Sequence, residues 1–210
     1  MTSLLGAVWL SAVLSAAPEA PIAEAAMKGD RQAVHALLKK GNDVNAAQGD
    51  GMTALHWAAR LGDAELTRML LYAGANVKAT TRLGAYTPLL MASEMGHAEV
   101  ATMLVKGGAD PKVTSSNGTT PLMLASASGK VDVVTALLAS GADVNAVESS
   151  RGETALMFAA ASNRVEAMKA LIAGGADVAL ATKVVDIKGL TDPLEEQFRQ
   201  AQGQAAQSTP

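Results

Sequence analysis

Two stretches of this chain repeat nearly the same sequence. Residues 51–79 read GMTALHWAARLGDAELTRMLLYAGANVKA, and residues 118–146 read GTTPLMLASASGKVDVVTALLASGADVNA. The two agree at fixed positions, such as Thr53 and Thr120, and differ at others. Self-similarity at a fixed period identifies a repeat architecture, in which each unit packs against its neighbours. The repeated positions therefore decide the fold, and the variable positions are free to serve another purpose.

A threonine that stands two or three residues after a glycine marks each of the last four copies of the repeat. It occurs at a nearly constant spacing, at Thr53, Thr87, Thr120 and Thr154. A Gly-Ala pair follows each threonine at the same distance, at Gly74-Ala75, Gly108-Ala109, Gly141-Ala142 and Gly175-Ala176. One repeat period before Thr53 stands Ala20-Pro21, which begins a degenerate first copy with glycines at the same offsets. The sequence therefore predicts five copies.

Each copy predicts two helices joined by a tight turn. Thr87-Pro88 and Thr120-Pro121 combine a capping hydroxyl with a proline that fits the first helical turn. The first helix ends at a glycine, or at an asparagine in the last copy, because the turn needs a left-handed residue: Gly62, Gly96, Gly129 and Asn163. The second helix has apolar residues at i, i+3 and i+4, such as Leu66, Met69 and Leu70.

The copies occupy about residues 19–50, 51–83, 84–117, 118–151 and 152–186, within a repeat region of 18–186. Beyond it the register slips, and residues 187–202 are predicted to form a partial repeat or a capping helix. Leu194 and Phe198 would lie on the last repeat, with the charged residues between them facing water. A disordered tail is expected at 203–210.

The repeat closely resembles the ankyrin repeat, whose signature is T-P-L-H-x-A. Here the signature reads TALHWA from Thr53, TPLLMA from Thr87, TPLMLA from Thr120 and TALMFA from Thr154. Only His56 keeps the histidine, which in this family hydrogen-bonds neighbouring loops. The resemblance implies an all-α solenoid of five helix-turn-helix repeats with a C-terminal capping helix. It also implies protein binding through a concave face made of loop tips and first helices.

The first 17 residues, MTSLLGAVWLSAVLSAA, carry no charged side chain. Their apolar run from Leu4 to Ala17 is shorter than the ~20 residues that span a bilayer, and it ends in small residues. We therefore expect a signal peptide over 1–17, a bacterial periplasmic or secreted protein, and no membrane span after cleavage. No basic residue precedes the run, so a frayed apolar helix on a cytoplasmic protein remains the alternative.

The composition argues against several classes of function. Net charge is −3 and no Lys/Arg-rich run occurs, so we expect no nucleic-acid partner. Cysteine is absent, and the three histidines lie at different offsets within their repeats, so no zinc ligand set is evident. No phosphate-binding loop or catalytic constellation is present. We therefore expect no catalytic residues, no cofactor, no metal and no enzymatic activity.

The variable positions indicate where a partner would bind. Carried over from the family, the concave face includes the residue before each threonine, the seventh and eighth after it, and the loop tips. In copies two and three these are types that concentrate at interfaces: Met52, Arg60, Leu61, Arg82, Tyr86, Glu94 and Met95. In copies four and five they are small or polar, including Thr119, Ala127, Ser128, Glu153, Ala161 and Ser162. Drift on a solvated surface is the alternative interpretation.

These observations predict an interaction scaffold that is monomeric alone and binds one protein partner. Two alternatives belong to other classes: a ligand-binding or enzyme-accessory protein, and an obligate structural subunit of an envelope complex. The architecture itself does not choose among them, since one fold hosts unrelated functions.

Overall fold

The computed structural model describes residues 20–180 of the 210-residue chain. The predicted signal peptide, capping helix and tail lie outside the described residues. Within 20–180 the chain forms ten helices and no strand, which confirms the all-α repeat fold. They are α1 (Pro21–Met27), α2 (Arg31–Lys39), α3 (Ala54–Leu61), α4 (Ala64–Tyr72), α5 (Pro88–Met95), α6 (Ala98–Lys106), α7 (Pro121–Ala127), α8 (Val131–Ala139), α9 (Ala155–Ala161) and α10 (Val165–Ala173).

The helices are arranged in two layers. The first helices of the copies, α1, α3, α5, α7 and α9, pack side by side in chain order, and α4, α6, α8 and α10 do the same behind them. One core runs between the layers. Most of its largest side chains are leucines that are at most 1% exposed: Leu55, Leu66, Leu70, Leu89, Leu104, Leu122, Leu137 and Leu171. Buried alanines between neighbouring first helices allow a close approach, because helix separation depends on the side chains at the contact.

Sulfur atoms replace the signature histidine at two of the helix starts. In copy two, Nδ1 of His56 accepts the Thr53 N–H at 3.2 Å. In copies four and five, Sδ of Met123 and Sδ of Met157 accept the corresponding threonine N–H at 3.3 and 3.4 Å. The threonine hydroxyl in turn accepts the methionine N–H. These helices therefore keep a reciprocal cap without the histidine.

Two structural features favour glycine at the ends of the first helices. Gly96 and Gly129 have φ of 91° and 70°, as the sequence predicted, and Asn163 substitutes with φ of 54°. In addition, a Cβ on Gly129 would come within 2.8 Å of Cδ of Arg164 in the next copy. Arg164 crosses the turn there and donates from Nε to the Ala127 carbonyl at 3.1 Å. The turn glycine thus makes room for the neighbouring repeat.

The loops between copies end in hairpin-like tips of two lengths. Each tip closes with a backbone N–H···O bond of 2.9–3.0 Å: Gln48 to Met52, Thr81 to Tyr86, Ser115 to Thr119 and Glu148 to Glu153. The second and fourth tips are longer by a single residue, which accounts for the slightly uneven spacing of the repeat threonines. Neighbouring tips are joined by further backbone bonds, Arg82 N to Asp50 O, Ser116 N to Gly84 O and Ser149 N to Asn117 O. The tips therefore form one continuous row.

The last tip contains a buried carboxylate with an unusual ionisation. Glu148 is 4% exposed, and burial alone would raise its pKa. The N–H groups of Ser150, Arg151 and Glu153 donate to it and outweigh burial, so that its pKa falls to about 2. Glu148 is therefore ionised at neutral pH, and its carboxylate accepts the hydrogen bonds of the backbone N–H groups in this tip.

Candidate protein-binding surface

The outward sides of α3 and α5, together with the tip at residues 81–86, form a surface that we name the first-helix face. Six of the seven residues that the sequence predicted to bind a partner lie on this face, and each is at least partly exposed. Leu61 and Met95 are 48% and 40% exposed, and the guanidinium-bearing side chains of Arg60 and Arg82 also lie in solvent. Tyr86 and Glu94 are half-buried. Their role in binding stays a prediction.

The interpretation of Met52 as a surface residue is wrong, because its side chain is only 5% exposed. The reason is the length of the tip. Met52 closes a short tip, in which its N–H donates to Oδ1 of Asp50 at 2.9 Å and its carbonyl accepts from Gln48. Thr119 closes the other short tip and is also 5% exposed. The longer tips leave Tyr86 half-exposed at the same offset from the threonine.

Four residues of the first-helix face come together around one depression. Arg60, Met91, Glu94 and Met95 line a shallow concavity of about 240 Å³ between α3 and α5. This is smaller than a typical small-molecule pocket of roughly 300–1,000 Å³. The arrangement suits a protruding side chain of a protein better than an enclosed ligand.

Two aromatic residues, Trp57 and Tyr86, interact with charged residues that line this depression. The guanidinium carbon of Arg60 lies 5.8 Å from the centroid of the Trp57 ring, within the range of a cation–π contact. Trp57 is also tied to the loop, since its Nε1 donates to Oε1 of Gln48 at 2.8 Å. Burial raises the pKa of Tyr86, and the negative charge of Glu94 raises it further. Tyr86 therefore stays neutral and keeps its hydroxyl as a donor.

Sequence reasoning missed the fourth position after each threonine. It holds large apolar residues that are all half-buried: Trp57, Met91, Leu124 and Phe158. This position lies off the stripe that faces the core and on the same side as the eighth position. A large apolar residue in each of the four copies, off the core stripe, was the available signal. Leu83 at the tip, which is 85% exposed, is a further large apolar residue beside this surface that was not predicted as part of the site.

His56 supports the surface from below. It is fully buried, and its Nδ1 lies 2.9 Å from Oγ1 of Thr53 while Nε2 lies 3.0 Å from the Tyr86 carbonyl oxygen. With Nδ1 accepting the Thr53 N–H, Nε2 carries the proton and donates to Tyr86. Burial lowers the pKa of His56, against opposing carbonyl contacts. The expectation that this imidazole would hold a neighbouring loop is confirmed.

Residues 20–180 offer no group of three or more His, Cys, Asp or Glu side chains placed to hold a metal ion. In the same range, no helix has both the length and the apolar character needed to cross a membrane. The first-helix face consists of large side chains that offer contact area, and a few of them end in polar groups.

Comparison with known families agrees with this architecture. The family model described as ankyrin repeats (3 copies) matches residues 22–115 and, in a second placement, residues 89–182. This chain belongs to the ankyrin repeat family. Ankyrin repeats form protein–protein interaction modules, and the family is typically a non-enzymatic scaffold.

Two curated proteins share segments with this ankyrin-repeat chain. The cell division cycle-related protein res1/sct1 of Schizosaccharomyces pombe is 57% identical over 42 residues, which are 20% of this chain and 7% of that protein. Protein PhlB of Serratia liquefaciens is 46% identical over 56 residues, which are 27% of this chain and 25% of that protein. The matches thus cover a small part of either relative, so neither relative's activity carries over to this chain.

Proposed function

We propose that this ankyrin-repeat protein is a scaffold that holds one protein partner on the first-helix face of copies two and three. In the family this side of the array is the concave surface. One observation carries the proposal: Arg60, Met91, Glu94 and Met95 converge on a single depression. At the seventh and eighth positions, copies four and five have only Ala127, Ser128, Ala161 and Ser162.

The chemistry of the converging residues favours a protein partner. Arg and Tyr provide large contact area with hydrogen-bonding ends, and such residues dominate the energetics of protein interfaces. The flexible thioethers of Met91 and Met95 adapt to an irregular surface. Exposed apolar residues clustered in this way reduce solubility unless a partner covers them. On its own the protein is expected to be monomeric.

An alanine scan tests the proposal after a partner has been captured from an envelope fraction and identified. Arg60→Ala or Tyr86→Ala should weaken binding by at least ~2 kcal/mol, about 30-fold in Kd, while the thermal midpoint stays close to that of the parent. Ser128→Ala and Ser162→Ala are the matched controls and should bind normally. Titration calorimetry measures each Kd. A loss that maps to copies four and five instead would contradict the proposal.

We further propose that the protein is exported to the periplasm or secreted. The apolar run from Leu4 to Ala17, with its small-residue end, supports this. Mass measurement of the native protein should show that the N-terminus begins after Ala16 or Ala17. Recovery from the cytoplasm with Met1 still in place would contradict export.

A further inference from the structure

The third tip contains the only Asn-Gly step of the chain, Asn117-Gly118. Asn117 is exposed, and Gly118 has a φ of 84°. A Cβ on Gly118 would come within 2.8 Å of the backbone nitrogen of Ser149 in the next tip, so both the positive φ and the close approach require glycine there. Because Gly118 has no side chain, its backbone nitrogen is sterically open to the carboxamide of Asn117.

Three donors surround the carboxamide oxygen of Asn117. Oγ of Ser115 and Oγ1 of Thr119 donate to Oδ1 at 2.5 and 2.9 Å, and the Thr119 N–H donates to it at 3.3 Å. Such donors bind an oxygen more strongly once it carries a negative charge. They therefore stabilise the oxyanion that forms on Oδ1 when a nucleophile attacks the carboxamide carbon, Cγ. The adjacent backbone nitrogen of Gly118 is placed to be that nucleophile.

We propose that Asn117 is a modification site, at which the folded protein deamidates through a cyclic imide. Solvent hydroxide removes the Gly118 amide proton, and the nitrogen forms a bond to Cγ of Asn117. The Cγ–Nδ2 bond then breaks, and the leaving nitrogen takes a proton from water and departs as ammonia. Water opens the imide at either carbonyl, which leaves aspartate or isoaspartate at position 117. The reaction needs no oxidant and no co-reactant other than water and hydroxide.

One hydrogen bond opposes the first step. The Gly118 N–H donates to the Ser115 carbonyl at 3.0 Å, so this bond must break before the proton is lost. Ser116 and Asn117 are both exposed, and opening at such a site costs much less than global unfolding. The contacts to Oδ1 of Asn117 use other atoms, so the donors can stay in place while the Gly118 nitrogen becomes free.

The first tip shows that an acidic residue fits this position. Asp50-Gly51 stands at the same offset from the repeat threonine, and Oδ1 of Asp50 accepts the Met52 N–H at 2.9 Å. A short tip therefore accommodates a normal aspartate. Isoaspartate instead adds a carbon to the main chain and displaces the Asn117 carbonyl, which accepts the Ser149 N–H at 3.1 Å. Deamidation that ends in isoaspartate should thus break the bond between the third and fourth tips.

Peptide mapping by mass spectrometry tests the proposal on the folded full chain, incubated at mildly alkaline pH and compared with an unincubated sample. The tryptic peptide 113–130 contains Asn117 and no other asparagine. It should gain the mass of an amide-to-carboxyl change before the peptides that contain the other asparagines do. Part of the product should be methylated by protein isoaspartyl methyltransferase, which identifies isoaspartate.

A valine variant tests the role of the donors. Thr119→Val removes one hydroxyl donor and keeps the backbone N–H, so position 117 should deamidate at least about fivefold more slowly, the factor that corresponds to the net value of one hydrogen bond. Thr135→Val, at an exposed position on α8, is the matched control and should deamidate at the rate of the parent. In urea the tip is unfolded, and there the parent and Thr119→Val should deamidate equally fast.

Several results would overturn the proposal. Peptide 113–130 could stay unchanged, or another asparagine could be modified first. Folded Thr119→Val could deamidate as fast as the parent or faster, in which case the hydroxyl only holds the carboxamide in place. Equal slowing of this variant in urea would show that the folded tip is not the cause. If Thr119→Val loses its helical circular dichroism, Ser115→Ala replaces it with the same expected slowing.

Discussion

His56 connects the cap of one helix to the loop of the next copy. Its two ring nitrogens contact Thr53 and the Tyr86 carbonyl, and the ring is fully buried. Because Tyr86 is one of the residues expected to meet a partner, His56 is a positioning residue for the first-helix face. Met123 and Met157 occupy the same signature position, and their sulfurs make only the contact to the threonine N–H.

We predict that His56→Met lowers stability modestly and changes its pH dependence. The variant keeps an acceptor for Thr53 but loses the hydrogen bond to Tyr86, at a cost of about 1 kcal/mol. In the parent, burial lowers the pKa of His56 below its ordinary 6.5, so only the unfolded chain takes up this proton as the pH falls. Stability from the neutral imidazole is therefore full above pH 6.5 and is lost as the pH falls through the folded pKa.

Urea unfolding at about pH 7.5 and about pH 5.5 measures this contribution. The parent should lose more unfolding free energy between the two values than His56→Met does. His35→Gln, at an exposed position on α2, is the control and should behave like the parent. An equal loss in the parent and in His56→Met would show that His56 does not carry the pH dependence.

The exposure of the residue before each repeat threonine depends on the length of the tip. Met52 and Tyr86 both precede the repeat threonine, yet Met52 is buried and Tyr86 is half-exposed. The offset from the threonine is the same, but the tip at residues 81–86 is longer by a single residue. The longer spacing from Thr53 to Thr87 shows that this tip is longer. The spacing does not show whether the side chain before the threonine is buried, since that depends on how the tip closes.

At the scale of elements, the asparagine of the DVNA motif joins one copy to the next. Asn45 donates from Nδ2 to the Gly74 carbonyl at 3.3 Å, and its Oδ1 accepts the Asn76 N–H at 2.7 Å. Asn145 makes the same pair of bonds to the last copy. Lysine replaces this asparagine at positions 78 and 112. The two middle junctions therefore lack this side-chain bridge.

We predict that Lys78→Asn stabilises the protein by about 1 kcal/mol, the usual net value of added hydrogen bonds. Its backbone already has the required turn, since the Lys78 N–H donates to Oδ1 of Asn76 just as Asn45 donates to Asp43. The new amide would face the Gly108 carbonyl and the Asp110 N–H, which hold the matching positions in copy three.

Urea unfolding of Lys78→Asn beside Lys78→Ala separates the bridge from the loss of charge. The alanine variant removes the same charge without supplying an amide, so it should be no more stable than the parent. If both variants gain equally, the bridge is not the cause.

The helices themselves were predictable because their start and stop signals are local. Thr87 caps α5 as expected, with its hydroxyl accepting the Leu90 N–H, and Gly96 ends that helix in the left-handed conformation. The outward row of Trp57 and Met91 was not predicted. A large apolar residue beside a core stripe looks like core, and only the packing of neighbouring first helices leaves part of it exposed.

For the whole molecule, the repeat is uniform in its core and uneven on its surface. All five copies contribute buried small and branched residues to one continuous core. At the seventh and eighth positions after the threonine, copies two and three have large or charged residues, whereas copies four and five have only alanine and serine. In a solenoid the shared positions preserve stacking, and this leaves the variable positions to determine what is bound. If the proposed function holds, that surface selects the partner, whose identity does not follow from the fold.

The most direct measurement compares two cysteines placed at the same repeat position in the presence of the captured partner. Leu61→Cys in copy two and Ser162→Cys in copy five both stand at the eighth position after the repeat threonine. At saturating partner, labelling at position 61 should slow by at least about tenfold, because a buried interface excludes the reagent, while labelling at position 162 should not change. Protection at position 162 with free labelling at position 61 would contradict the placement of the binding surface in copies two and three.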